Sequence, residues 1–120
     1  MNMRILVVED EPLLAMLLEE NLTDLGHEPV GAAATVEQAM AMLDAQDIDA
    51  ALLDFSLGHD STSAPVAHRL RRIGTPFFYL SGHASLDAED NTPDAPLLIK
   101  PVSLVDLKSA LSDLAERVRA

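Results

Sequence analysis

Residues 4–12 read RILVVEDEP. The first five form a short apolar run bounded by charge, the pattern of a strand buried on both faces. The run stops at three consecutive acids, Glu9, Asp10 and Glu11. Pro12 suits the first turn of a helix, where a missing N–H costs nothing. Leu14, Leu17, Leu18, Leu22 and Leu25 then form a helical stripe that Gly26 ends. A buried strand followed at once by a helix is the opening unit of a parallel sheet, because parallel neighbours need a crossover.

The same alternation continues downstream. His27 to Ala34 is a weak strand, burdened by Pro29 and Gly31. Thr35 caps a helix with Gln38 three residues on, as in a capping box, and Val36, Ala39, Met40 and Leu43 form its inner face. Asp49 to Phe55 (DAALLDF) is a second clear strand. Val66, Leu70 and Ile73 mark a helix closed by Gly74, and Pro76 to Ser81 (PFFYLS) is a strand. Residues 84–94 are polar and weakly patterned, with room for one short helix. Leu97 to Lys100 is a fifth strand, and Ser103 caps a last helix carrying Leu104, Leu107, Leu111, Leu114 and Val118. Five strands alternating with helices predict an α/β fold: a doubly wound, five-stranded parallel sheet with helices on both faces.

Composition narrows the function. The chain has 120 residues, 48% hydrophobic and 23% charged, which suits one globular domain over residues 1–120 with no separate output domain. The absence of cysteine excludes disulfides, thiol nucleophiles and thiolate zinc sites. Twenty acids against eight bases give a net charge of −12, a field that repels nucleic acid; the short cluster Arg69, Arg71, Arg72 does not reverse it. No apolar run approaches ~20 residues and no signal peptide is visible, so the expectation is a cytoplasmic protein without membrane insertion.

In doubly wound sheets ligands bind at the carboxyl ends of the strands. Glu9, Asp10 and Glu11 follow the first strand, Asp54 ends the third, Ser81-Gly82 ends the fourth, and Lys100-Pro101 ends the fifth. Singly, each has a plain structural explanation. A strand-ending Asp is often a turn or cap, acids before a helix favour its dipole, and Ser-Gly and Lys-Pro are ordinary turn pairs. Together they place carboxylates, a hydroxyl and an ammonium on one sheet edge. Crowded carboxylates need a cation, and an all-oxygen set favours hard Mg²⁺, with Mn²⁺ as the alternative. A carboxylate beside such an ion can accept a phosphoryl group, with Lys100 and Ser81 left to neutralise the phosphoryl oxygens.

The run ILVVEDEP, the strand-ending Asp54, the YLSG segment and the IKP tripeptide resemble the receiver domain of two-component response regulators, a flavodoxin-like fold, over essentially the whole chain. The resemblance implies that Asp54 is the phosphoacceptor and that Glu9, Asp10, Asp54 and the backbone carbonyl of Ser56 hold Mg²⁺. It implies that Ser81 and Lys100 bind the phosphoryl group and that the Lys100–Pro101 peptide is cis. The stretch PFFYLSGHA is similar to single-domain alphaproteobacterial receivers with a PFxFATGY-type motif, although Tyr79, Leu80, Ser81 and His83 depart from it. The partner so implied is a histidine kinase, in that group commonly HWE-type, or a histidine phosphotransfer protein. It would dock on the first helix, where Leu13 and Met16 lie off the buried stripe.

Three further departures carry expectations. Glu9 stands where Asp is more common, so its extra methylene shifts it toward water-mediated metal contact. Gly58 replaces a frequent proline, which predicts a more flexible loop. Leu97 replaces the Tyr or Phe that moves on activation in many receivers, so the response is expected to run from Ser81 through Gly82 into residues 83–94. Of the four histidines, His83 is a candidate for tuning hydrolysis, while His27, His59 and His68 read as ordinary surface residues. Competing readings are an unphosphorylated adaptor, which would usually lack an acid or the lysine, and a Mg²⁺-dependent aspartyl-phosphate phosphatase. The latter generally needs an acid two residues after the nucleophile, where this chain has Ser56. The expectation is therefore a phosphoacceptor and not a turnover enzyme.

Overall fold

The computed structural model describes residues 2–58, 61–82 and 92–119, with residues 118 and 119 described as backbone only. Its strands are β1 (Arg4–Val8), β2 (Glu28–Ala33), β3 (Ala50–Asp54), β4 (Phe77–Ser81) and β5 (Leu97–Ile99). Its helices are α1 (Pro12–Asp24), α2 (Val36–Ala45), α3 (Ala64–Ile73) and α4 (Leu104–Arg119). Every strand pair is parallel, in the order β2-β1-β3-β4-β5. The expected doubly wound sheet is present. The part of the β4–β5 connection read as able to hold a helix falls largely in residues 83–91, outside the described residues.

The period of two along each strand divides the interior into two layers. Ile5, Val7, Leu52, Phe78 and Leu80 face α1 and α4, meeting Leu18, Leu22, Leu107, Leu111 and Leu114. Leu6, Val8, Leu53, Phe77 and Tyr79 face α2 and α3, meeting Ala39, Val66, Ala67 and Leu70. Both faces of β1 and β3 are therefore covered, which is why those strands read as unbroken apolar runs. The weak strand β2 lies at one edge, where Pro29 removes no interior hydrogen bond, and its register with β1 shifts between Ile5 and Leu6.

Several local expectations hold. Thr35 Oγ1 accepts from Gln38 N at 3.1 Å, and Gln38 Oε1 accepts from Ala34 N at 2.7 Å, one residue earlier than in a strict capping box. Ser103 Oγ accepts from Asp106 N at 3.0 Å, capping α4. Three expected core residues are instead exposed: Leu17, Ile73 and Leu104. In α1 the inward set is Ala15, Leu18 and Leu22, which turns Leu17 about 100° away. Ile73 and Leu104 are terminal residues of α3 and α4, flanked by helix on one side only. Val118 lies outside the described side chains. His27 is not an ordinary surface residue, because its Nδ1 accepts from Met3 N at 3.1 Å and so pins the start of β1. His68 sits exposed on α3, and His59 lies outside the described residues.

Candidate functional site

Strand order reverses between β1 and β3, and the chain emerging from those two strands builds the site. Glu9 follows β1 directly and is 2% exposed; Asp10 is next and exposed. Asp54 ends the central strand β3 and is 4% exposed. One oxygen from each of these three carboxylates lies within 4.8 Å of the others. Lys100, immediately after β5, reaches across β4's end: its Nζ donates to Asp54 Oδ2 at 2.9 Å and to Glu9 Oε1 at 3.2 Å.

Three acids and one ammonium leave this edge short of positive charge. Glu9 shows the strain most. Burial pushes its pKa up to about 7, reinforced by a hydrogen bond and charge repulsion from Asp54, while the Glu11 amide and Lys100 pull the other way. The Glu11 N–H donates to Glu9 Oε2 at 3.3 Å, a support that sequence reasoning missed because nothing in the side-chain pattern marks it. Burial alone would lower the pKa of Lys100, but bonding to Asp54 and Glu9 outweighs it and holds the ammonium above its ordinary value.

The donor set suits a hard divalent cation. The three side chains offer carboxylate oxygens only, and their spacing needs little contraction toward the roughly 3–4 Å between ligands of octahedral Mg²⁺. Ser56, the source of the expected carbonyl ligand, lies two residues beyond Asp54. Its backbone is held by bonds on either side, Leu57 N to Ser61 O at 2.9 Å and Ser63 N to Phe55 O at 2.9 Å. A further bond runs from Ser61 N to Gly58 O at 2.8 Å. Gly58 has φ +75° there, a value proline cannot adopt, so the backbone shape at this position requires a residue other than proline.

Ser81 ends β4, half-buried, and its carbonyl accepts from Lys100 N at 2.7 Å, which ties the two phosphoryl-site candidates together through the backbone. The Lys100–Pro101 peptide is cis. His83 lies outside the described residues. Leu97 is half-buried and pairs in register with Tyr79, so the aromatic beside this end of β5 belongs to β4. The Tyr79 ring packs edge-to-face on Phe55 and Phe77, with centroids 5.6 and 5.5 Å away. Its buried hydroxyl donates to Pro93 O at 2.7 Å, and burial raises its pKa to about 12. Arg71 bonds the next carbonyl, that of Asp94. Tyr79→Phe keeps both ring contacts but leaves the Pro93 carbonyl without this donor. The expected loss is about 1–2 kcal/mol in urea unfolding, and an unchanged midpoint would show that water replaces the hydroxyl.

The family model described as the response regulator receiver domain matches residues 5–112. The chain belongs to that family. It is 36% identical to the transcriptional regulatory protein TcrA of Mycobacterium tuberculosis, over 97% of this chain and 47% of the relative. It is 29% identical to the phyllosphere-induced regulator PhyR of Methylorubrum extorquens, over 93% of this chain and 43% of that one. The chain thus spans about half the length of these curated relatives. Among solved structures, SdrG from Sphingomonas melonis Fr1 is 38% identical with TM-score 0.81, covering 95% of this chain and 97% of that one. A receiver protein from Sinorhizobium medicae WSM419 is 32% identical with TM-score 0.83, covering 98% and 97%. The receiver is a module of two-component signalling whose family generally binds Mg²⁺, in keeping with the acidic cluster. Among the described residues no helix is long and apolar enough to cross a membrane.

Proposed function

We propose that this chain is a phosphoacceptor whose Asp54 takes a phosphoryl group from a phosphohistidine of a histidine kinase or a histidine phosphotransfer protein. One observation carries the reading: Asp54 is a buried carboxylate that ends the central strand, bonded to Lys100 and flanked by Glu9 and Asp10. An Asp54 carboxylate oxygen forms a bond to phosphorus as the phosphorus–nitrogen bond to the donor imidazole breaks, and the electron pair returns to that ring nitrogen. Lys100 holds positive charge beside the acceptor, and the Ser81 hydroxyl is assigned to a phosphoryl oxygen. Glu9, Asp10, Asp54 and the Ser56 carbonyl would hold Mg²⁺, which when bound supplies charge neutralisation for the transfer.

The chain is read as a signalling module and not a turnover enzyme. Exposed Leu13, Met16 and Leu17 on α1 offer the kinase an apolar docking strip beside the site. The stretch PFFYLSGHA is what supports assignment near the PFxFATGY-type receivers, whose kinases are commonly HWE-type. Output is assigned to protein–protein contact or to a phosphate sink. Incubation with acetyl phosphate, with and without Mg²⁺, followed by intact-mass measurement tests the reading. One added phosphoryl group that requires the divalent ion is expected, and no addition under either condition would favour an unphosphorylated adaptor.

A further inference from the structure

We propose that Gly58 is a positioning residue of the metal site, its missing side chain being what lets the Asp10 carboxylate stay in place when a cation binds. This rests on the reading of Glu9, Asp10 and Asp54 as the Mg²⁺ ligands. Two independent facts meet at this glycine. Its φ of +75° belongs to the left-handed region, and a Cβ built on it would lie 3.1 Å from Asp10 Oδ2. The carbonyl of Gly58 accepts from Ser61 N, and the N–H of its neighbour Leu57 donates to Ser61 O, so its backbone is anchored beside Asp10.

The consequence depends on what else holds Asp10. Its side chain is exposed and the contacting Oδ2 is its far end, so without a cation a methyl group at position 58 displaces the carboxylate by a few tenths of an ångström at little cost. A ligand of Mg²⁺ has no such freedom, because the ion demands near-octahedral geometry at about 2.0–2.1 Å. The same collision is therefore mild without the cation and costly with it. A side chain at position 58 should weaken Mg²⁺ binding beyond any effect on folding.

Backbone strain and side-chain contact are separable within this chain. Gly74, at the C-terminus of α3, has φ +80° and nothing within 4 Å of a built Cβ. Gly58→Ala and Gly74→Ala thus carry similar strain, but only the first meets Asp10. Titration with MgCl2 alone, followed by amide chemical shifts, should give a Kd about tenfold higher for Gly58→Ala, the lower end for disturbed supports of metal ligands. Gly74→Ala should stay within about twofold of wild type, since its Cβ meets nothing. In an Asp10→Ala background, Gly58→Ala should have no further effect on Kd. If Gly58→Ala fails to fold, Gly58→Asn presents the same Cβ on a residue that tolerates this φ, and the same tenfold loss is expected.

Equal affinity in wild type and the position-58 variants would overturn this inference while leaving the metal site intact. Equal weakening by Gly74→Ala, or a full further loss in the Asp10→Ala background, would also overturn it. A wild-type protein indifferent to Mg²⁺ would overturn the metal-site reading, and the inference with it.

Discussion

Asp54→Asn should retain the fold and lose, below detection, the single phosphoryl group that the wild-type protein gains from acetyl phosphate and Mg²⁺. The amide keeps the shape of the carboxylate at the end of β3 and removes the nucleophilic oxygen charge. Lys100 retains its bond to Glu9, so the ammonium is not stranded. The neighbouring acids are poor substitutes. Asp10 lies exposed after β1, and Glu9 is buried with Oε1 bonded to Lys100 and Oε2 bonded to the Glu11 amide. Removing the Asp54 charge also removes its repulsion of the Glu9 carboxylate, so the variant should titrate Glu9 at lower pH. Undiminished labelling of Asp54→Asn would move the acceptor elsewhere and break the proposed function.

The second large effect is on stability and its pH dependence in the absence of metal. The Glu9 pKa is raised from 4.5 to about 7 by folding. Between those two values the folded protein keeps a proton that the unfolded chain has released, so this group makes stability fall as pH rises through the window. The cost is fully present above pH 7 and is on the order of 3 kcal/mol at about 1.4 kcal/mol per pH unit. Glu9→Gln mimics the protonated form. It should raise the melting temperature of the metal-free protein at pH 8 by about 10 °C and leave it little changed at pH 4. Burial lowers the His27 pKa, which contributes the opposite slope. The difference between wild type and variant therefore isolates Glu9. Saturating Mg²⁺ should close much of the gap, since a cation at a hundred times its Kd stabilises by about 2.7 kcal/mol. Parallel pH profiles for the two proteins would show that Glu9 is not strained in the folded state.

Lys100 illustrates how the sequence could point to this site. A lysine ending an apolar run says little alone, but four strand ends carrying reactive groups place them on one edge as soon as the sheet is parallel. That inference needs only periodicity and the crossover rule. The two-layer core was legible in the same way, because each strand's alternate residues must face opposite helices. What periodicity could not settle was which residues of a broad apolar stripe point inward. Leu17 belongs to the pattern of α1, yet the helix's rotation on the sheet, set by Ala15, Leu18 and Leu22, turns it to solvent.

The sequence by itself determined the alternating fold and the placing of Glu9, Asp10, Asp54, Ser81 and Lys100 together on the carboxyl edge of the sheet. These follow from local pattern and chain order. Tertiary structure alone decided how those groups act on one another. Glu9's raised pKa needs its burial and the nearness of Asp54, contributed by a strand forty-five residues away in the chain. The bond from Tyr79 to Pro93, the support of Glu9 by the Glu11 amide and the approach of Gly58 to Asp10 have no sequence signature either. The two bonds depend on separations of about 3 Å and the approach on where a Cβ would stand, and residue pattern specifies which strand lies beside which without specifying separations that fine.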